Sequence, residues 1–179
     1  MAPKTTVVIS DSEDEKPTDY SEADSAIEAE LNKHKLGSFR VHFKDMTFHW
    51  KGEKKNRAVA SPDKLRVLVK SMKTGLYRSD MRNRISGIVA RKDIASYMVR
   101  PDDPKKKDKV KDFKEVAKYN EEAKFPIIVL PGKQDLIEMQ SGQHRMAVLK
   151  KVLFPEEDTE WWWIVTLYDD GMHFPLTID

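Results

Sequence analysis

The 179-residue chain has no cysteine, which excludes disulfides, a thiol nucleophile and a zinc–thiolate site. It has no apolar run approaching the roughly 20 residues needed to span a bilayer, and no signal-peptide pattern opens it. An intracellular protein is the simplest expectation. Bulk charge selects no partner either, because 32 basic residues nearly cancel 30 acidic ones. The distribution is more informative: the amino-terminal stretch is acidic and the middle is basic. The length suits one compact domain plus a tail.

Met1 to about Tyr20 has too few large apolar residues to build a core and reads as a disordered acidic tail. Within it, Val7, Val8, Ile9 and Ser10 precede Asp11, Ser12 and Glu13, a β-prone run with an acidic flank. This order resembles a SUMO-interacting motif, in which the aliphatic residues add a strand to the modifier's sheet and the acidic ones meet a basic patch. Phosphorylation of Ser10 or Ser12 would strengthen it. The alternative is a chance apolar patch in an acidic tail.

Ser21 to Leu36 reads as a short helix stopped before Gly37, so residues 1–36 form the tail and 37–179 the domain. Phe39, Val41 and Phe43 alternate with polar residues, and the phase then shifts so that Met46, Phe48 and Trp50 continue it. Two strands joined by a bulge or turn at Lys44-Asp45 account for that shift. His42 and His49 lie opposite the apolar residues and read as solvated, not as ligands. Lys51 to Arg57 is a basic loop. Ser61 and Pro62 then cap a helix with an apolar stripe at Leu65, Leu68, Val69 and Met72, ending at Gly75.

The next stretch, about 76–120, reads as a basic helical insertion with Ile85, Ile88, Ile94 and Met98 on its inner stripe. Arg78, Arg82, Arg84 and Arg91, interleaved with Tyr77 and Tyr97, suit nucleic acid through phosphate neutralisation and base stacking. They serve equally well as the solvated outside of the insertion. Pro104 to Val110 resembles a single-cluster nuclear import signal with Asp108 in place of a basic residue, or else begins the next helix, whose buried face is Val110, Phe113, Val116 and Ala117.

The carboxyl-terminal third carries the most specific pattern. Leu136, Ile137 and Glu138 form a short strand, Ser141 and Gly142 a tight turn, and Gln143, His144 and Arg145 open a helix continued by Met146, Leu149, Val152 and Leu153. The first N–H groups of a helix have no internal partner, and its amino end carries roughly half a positive charge, so an anion can bind there. An ordinary strand-to-helix joint has the same pattern. Farther on, three consecutive tryptophans in a strand from Trp161 to Tyr168 must alternate faces, which sends at least one away from the principal core, to stack on a base, a partner or the covering insertion helices.

Residues 135–151, DLIEMQSGQHRMAVLKK, resemble the strand-turn-helix signature of the ParB/sulfiredoxin superfamily, with its Gly-x-His-Arg and following alanine at Gly142, His144, Arg145 and Ala147. The preceding Phe125 to Leu130 and the following Trp162 to Leu167 resemble the family's flanking strands, so the resemblance covers about 125–169. It implies a small α+β fold with a mixed sheet and flanking helices. It also implies a nucleotide-phosphate site at Ser141, Gly142, Gln143, His144 and Arg145, with Asn56 and Arg57 as further contacts. The implied ligand is CTP or ATP with Mg2+; no metal site built from side chains alone is expected. Sulfiredoxins carry a catalytic cysteine where this chain has Gln143, so sulfinic-acid reduction is excluded.

The downstream Glu-Asn-x-x-Arg box and helix-turn-helix of CTP-hydrolysing ParB proteins do not occur by Asp179, which suggests a truncated portion of a longer protein or a member without hydrolysis. The expectation is therefore a nucleotide-binding domain of a nuclear DNA- or chromatin-associated protein, recruited to SUMO-modified partners, with homodimerisation left open. The rivals are an ATP-dependent kinase of small substrates, with Glu138 and His144 in acid-base roles, and a non-catalytic interaction scaffold.

Overall fold

The structure is a computed structural model that describes residues 20–48, 61–101, 108–132 and 136–171. Helix α1 (Tyr20–His34) leads without a break into β1 (Lys35–His42). The expected tail boundary therefore falls two residues inside a strand, because Leu36 is already buried in the core. A 3-10 turn at Phe43–Asp45 separates β1 from β2 (Met46–Thr47), where the apolar alternation changes phase. Helix α2 (Pro62–Thr74) begins with the Ser61 hydroxyl accepting from the Lys64 N–H and ends at Gly75, as its cap residues dictate.

The stretch read as a helical insertion is mixed, contributing two strands to the sheet as well as helices. After a 3-10 turn at Met81–Asn83 come β3 (Ile85–Val89), a single turn α3 (Arg91–Ile94), β4 (Met98–Val99) and α4 (Phe113–Glu121). Ile85 and Ile88 lie three apart, which imitates helical spacing, but the buried residues of β3 are Ile85, Gly87 and Val89, a strand period. The β-branched composition favours that outcome. In α4 the buried residue is Val116, while Ala117 faces solvent, contrary to the expected stripe. Strands β5 (Ile127–Ile128) and β6 (Ile137–Met139), helix α5 (Gln143–Val148) continued in wider π-type turns through Leu149–Leu153, and β7 (Trp162–Asp169) complete the fold.

These strands make one curled, mixed sheet in the order β2-β6-β3-β7-β1-β5-β4. Strand β7 runs antiparallel to β1, with Phe39 opposite Val165, and parallel to β3, with Ile85 opposite Val165. One face carries Phe39, Val41, Ile85, Trp163, Val165 and Leu167, all buried, with Met146 and Leu149 of α5 in the same cluster. The other face of β1 and β7 presents Arg40 and His42 beside Ile164 and Trp162. Asn120 of α4 closes the start of β1: its side chain accepts from the Ser38 N–H at 2.6 Å and donates to the Ser38 carbonyl at 2.9 Å, as a neighbouring strand would.

Candidate functional site

The strand-turn-helix forms as its sequence requires. Gly142 is the cap of α5 with φ +92°, and a Cβ there would meet Ile85 Cγ2 at 2.6 Å, so glycine is needed for both conformation and space. Among the described residues no side chain caps α5. Ser141 is held inward: its hydroxyl accepts from the Ser86 N–H at 2.9 Å and lies 3.2 Å from the Ser86 hydroxyl. The turn is thus stitched to β3.

Arg145 differs from expectation. Its Nη1 donates to the Asn83 carbonyl at 3.0 Å, the same oxygen that accepts Trp163 Nε1–H at 2.7 Å. One guanidinium nitrogen therefore ties α5 to the 3-10 turn before β3. Gln143 and His144 instead line a groove of about 260 Å3 between α2 and α5, with Leu65, Val69, Val148 and Lys151. Leu65, Val69 and Lys151 were not among the sequence-derived site residues, although a stripe on α2 facing a helix elsewhere in the chain is a signal that could have pointed to them. Glu138 sits in β6 between Thr47 of β2 and Ile88 of β3, and the Gln140 amide donates to its carboxylate at 3.4 Å. It does not line the groove that His144 faces. Asn56, Arg57, Val7, Val8, Ile9, Asp11 and Glu13 lie outside the described residues.

The four arginines proposed for nucleic acid are each engaged within the domain. Arg78, its side chain only 9% exposed, donates to the Glu160 carboxylate at 3.1 Å and to the Glu160 carbonyl at 2.9 Å. Its guanidinium covers Trp162 at 3.9 Å from the ring centroid, and Arg40 covers the same ring at 3.9 Å. Burial lowers the pKa of both guanidinium groups below the ordinary arginine value; the neighbouring Arg78 charge lowers that of Arg40 further, while Glu160 works in the opposite direction for both. Arg82 pairs with Asp80 at 2.9 Å, Arg84 donates to the Ser79 carbonyl at 3.2 Å, and Arg91 pairs with Asp169 at 3.1 Å. Of these, Arg82 is the most exposed, at 88% of its side chain. The tryptophans alternate as the strand period demands. Trp163 enters the core and Trp162 the opposite face, where two arginines rather than helices cover it.

Among the described residues no group of three or more His, Cys, Asp or Glu is placed to hold a metal ion, and no helix is long and apolar enough to cross a membrane.

Fold and site define a mixed α+β domain with a curled seven-stranded sheet and an uncapped helix start facing a groove. Residues 34–178 match the family described as "Protein of unknown function (DUF3723) N-terminal domain", and the chain belongs to that family. No curated protein and no solved structure matches it.

Proposed function

We propose that the domain is a ParB/sulfiredoxin-like binding module that takes the phosphates of a nucleotide, CTP or ATP, at the amino end of α5. One observation carries this reading: the first turn of α5 follows a left-handed glycine with no side-chain cap, and Gln143, His144 and Lys151 line one groove beside it. Uncapped N–H groups, a helix dipole and a lysine ammonium together favour an anion. Arg145, through Asn83, is then a positioning residue for the turn. Mg2+ would be held chiefly by the phosphates, since the described side chains offer no cluster of acidic or histidine ligands near them. That donor set favours binding over turnover, and the separation of Glu138 from the groove gives no support to an acid-base pair with His144. In the wider protein we place this module in the nucleus, at DNA or chromatin, with Val7 to Glu13 recruiting SUMO or SUMO-modified partners; self-association is a further proposal.

A scaffold without a nucleotide is the second reading, favoured by the inward hydrogen bonds of Ser141 and Arg145. A thermal shift with CTP, ATP and GTP, each with Mg2+, separates the two. A ligand at about a hundred times its Kd stabilises by about 2.7 kcal/mol, a rise of roughly 5 to 10 °C. The rise should vanish in Lys151→Glu, whereas Arg145→Ala should lower the ligand-free melting point. No rise with any nucleotide at millimolar concentration establishes the scaffold reading instead.

A further inference from the structure

A second polar crevice lies elsewhere on the sheet. Strands β1 and β5 run parallel and pair at Arg40 and Ile127, after which β1 turns away into the 3-10 turn at Phe43–Asp45. Beside this pair, at the carboxyl ends of both strands, lies a crevice of about 290 Å3. Arg40, His42, Lys44, Asp45, Val129 and Trp162 line it.

Hydrogen-bond donors exceed acceptors there. Among the described residues the Arg40 guanidinium has no hydrogen-bond or ion-pair partner and is fixed only over the Trp162 ring. The Trp162 indole N–H is out of water with no acceptor. Lys44 Nζ reaches two carbonyl oxygens, of Leu130 and Gly132, each at the long distance of 3.4 Å. His42 is committed: its Nδ1 accepts from the Lys44 N–H at 3.2 Å and its Nε2 lies 2.7 Å from the Asp158 carbonyl oxygen. Asp45 adds one buried carboxylate. Among the described residues Arg40 and Lys44 line the crevice against Asp45, and Arg78, paired with Glu160, is not part of the lining, so the lining is net positive.

We propose that this crevice binds a carboxylate that carries an aliphatic group. A planar pair of oxygens matches the edge of a guanidinium held against an aromatic ring, and a negative charge complements the basic lining. Ile127 and Val129, the latter 44% exposed, supply an aliphatic wall for the rest of the ligand. Arg40 and Arg78 already stack on the Trp162 ring, each 3.9 Å from its centroid.

The test is a titration of the full chain with isovalerate, followed on the tryptophan indole N–H signals by NMR, with Trp162→Phe identifying the relevant peak. Saturable movement of that peak is expected, weakened about tenfold in Arg40→Gln, the loss of one charge-assisted fork. Lys44→Met should weaken it severalfold and serves if Arg40→Gln does not fold. Parallel titration with inorganic phosphate should produce no saturable movement. Tighter binding of phosphate than of isovalerate, no saturation with isovalerate at millimolar concentration, or unchanged affinity in a folded variant each overturns the assignment.

Discussion

Arg78→Ala tests whether the basic residues near β3 are structural struts or a contact surface. The Arg78–Glu160 ion pair contributes about 1 kcal/mol or less, because Glu160 is 38% exposed and its charge is screened. The 2.9 Å bond to the Glu160 carbonyl contributes about 1.5 kcal/mol as a charge-assisted bond. The guanidinium over Trp162, at 3.9 Å and largely out of water, adds about 1 to 2 kcal/mol. Against these stands the Arg78 Nε–H, buried with no partner, whose removal returns about 1 kcal/mol. The net expectation is a loss of about 1.5 to 3.5 kcal/mol, or roughly 3 to 14 °C in Tm for a domain of this size. Thermal and urea unfolding followed by circular dichroism measure it. Arg78→Lys should recover less than half, since lysine keeps the charge but loses the fork and the stack. An arginine waiting for phosphate on an open surface would change stability by about 0.5 kcal/mol or less. A melting point for Arg78→Ala within about 2 °C of the parent would therefore refute the strut.

Gly142→Ala should cost about 2 to 5 kcal/mol, from the left-handed backbone at φ +92° together with the overlap with Ile85, and urea unfolding should show it as a lower midpoint with an unchanged slope. Asn120→Ala leaves the Ser38 N–H and carbonyl without their side-chain partners and should lower stability by about 1 to 3 kcal/mol, with faster amide exchange at Ser38 as the local signature. Ser61→Ala removes the cap of α2 and should cost about 1 kcal/mol, most of it returned by Ser61→Asp. Burial raises the Tyr168 pKa above 10.0, so the folded state holds its phenol proton more tightly than the unfolded chain does. Its contribution is fully present below pH ~10 and is lost as pH rises through the folded value, so Tyr168→Phe should flatten the alkaline limb of a stability–pH curve.

Local signals in the chain were legible. Ser61, Pro62 and Gly75 bound α2, the phase change at Lys44-Asp45 becomes a 3-10 turn, and Gly142 separates β6 from α5. Each of these depends on a few adjacent residues. Strand β3 was read as helix because two isoleucines three apart fit both periods, and only its place between β6 and β7 decides between them. The roles of the arginines were not legible at all. Arg78 meets Glu160 across 82 positions and Arg91 meets Asp169 across 78, so sequence shows a basic stretch whose charges tertiary contacts then match. The same holds for Arg145, which belongs to the motif by position but turns toward Asn83, 62 residues away.

Strand β7 lies fourth in the strand order across the sheet, yet among the described residues it is the last strand in sequence. During synthesis β1 must wait for a partner made much later: Ser38 and Thr166, which meet through their hydroxyls, are 128 positions apart. At bacterial to eukaryotic elongation rates that interval is roughly 6 to 25 s, during which two strands that will flank β7 present open edges. The sheet is therefore completed only once β7 has been translated, not progressively along the chain. A chain stopped anywhere before Trp162 should emerge with β1 and β3 both unpaired on that side, and should collect in inclusion bodies rather than as a smaller folded unit.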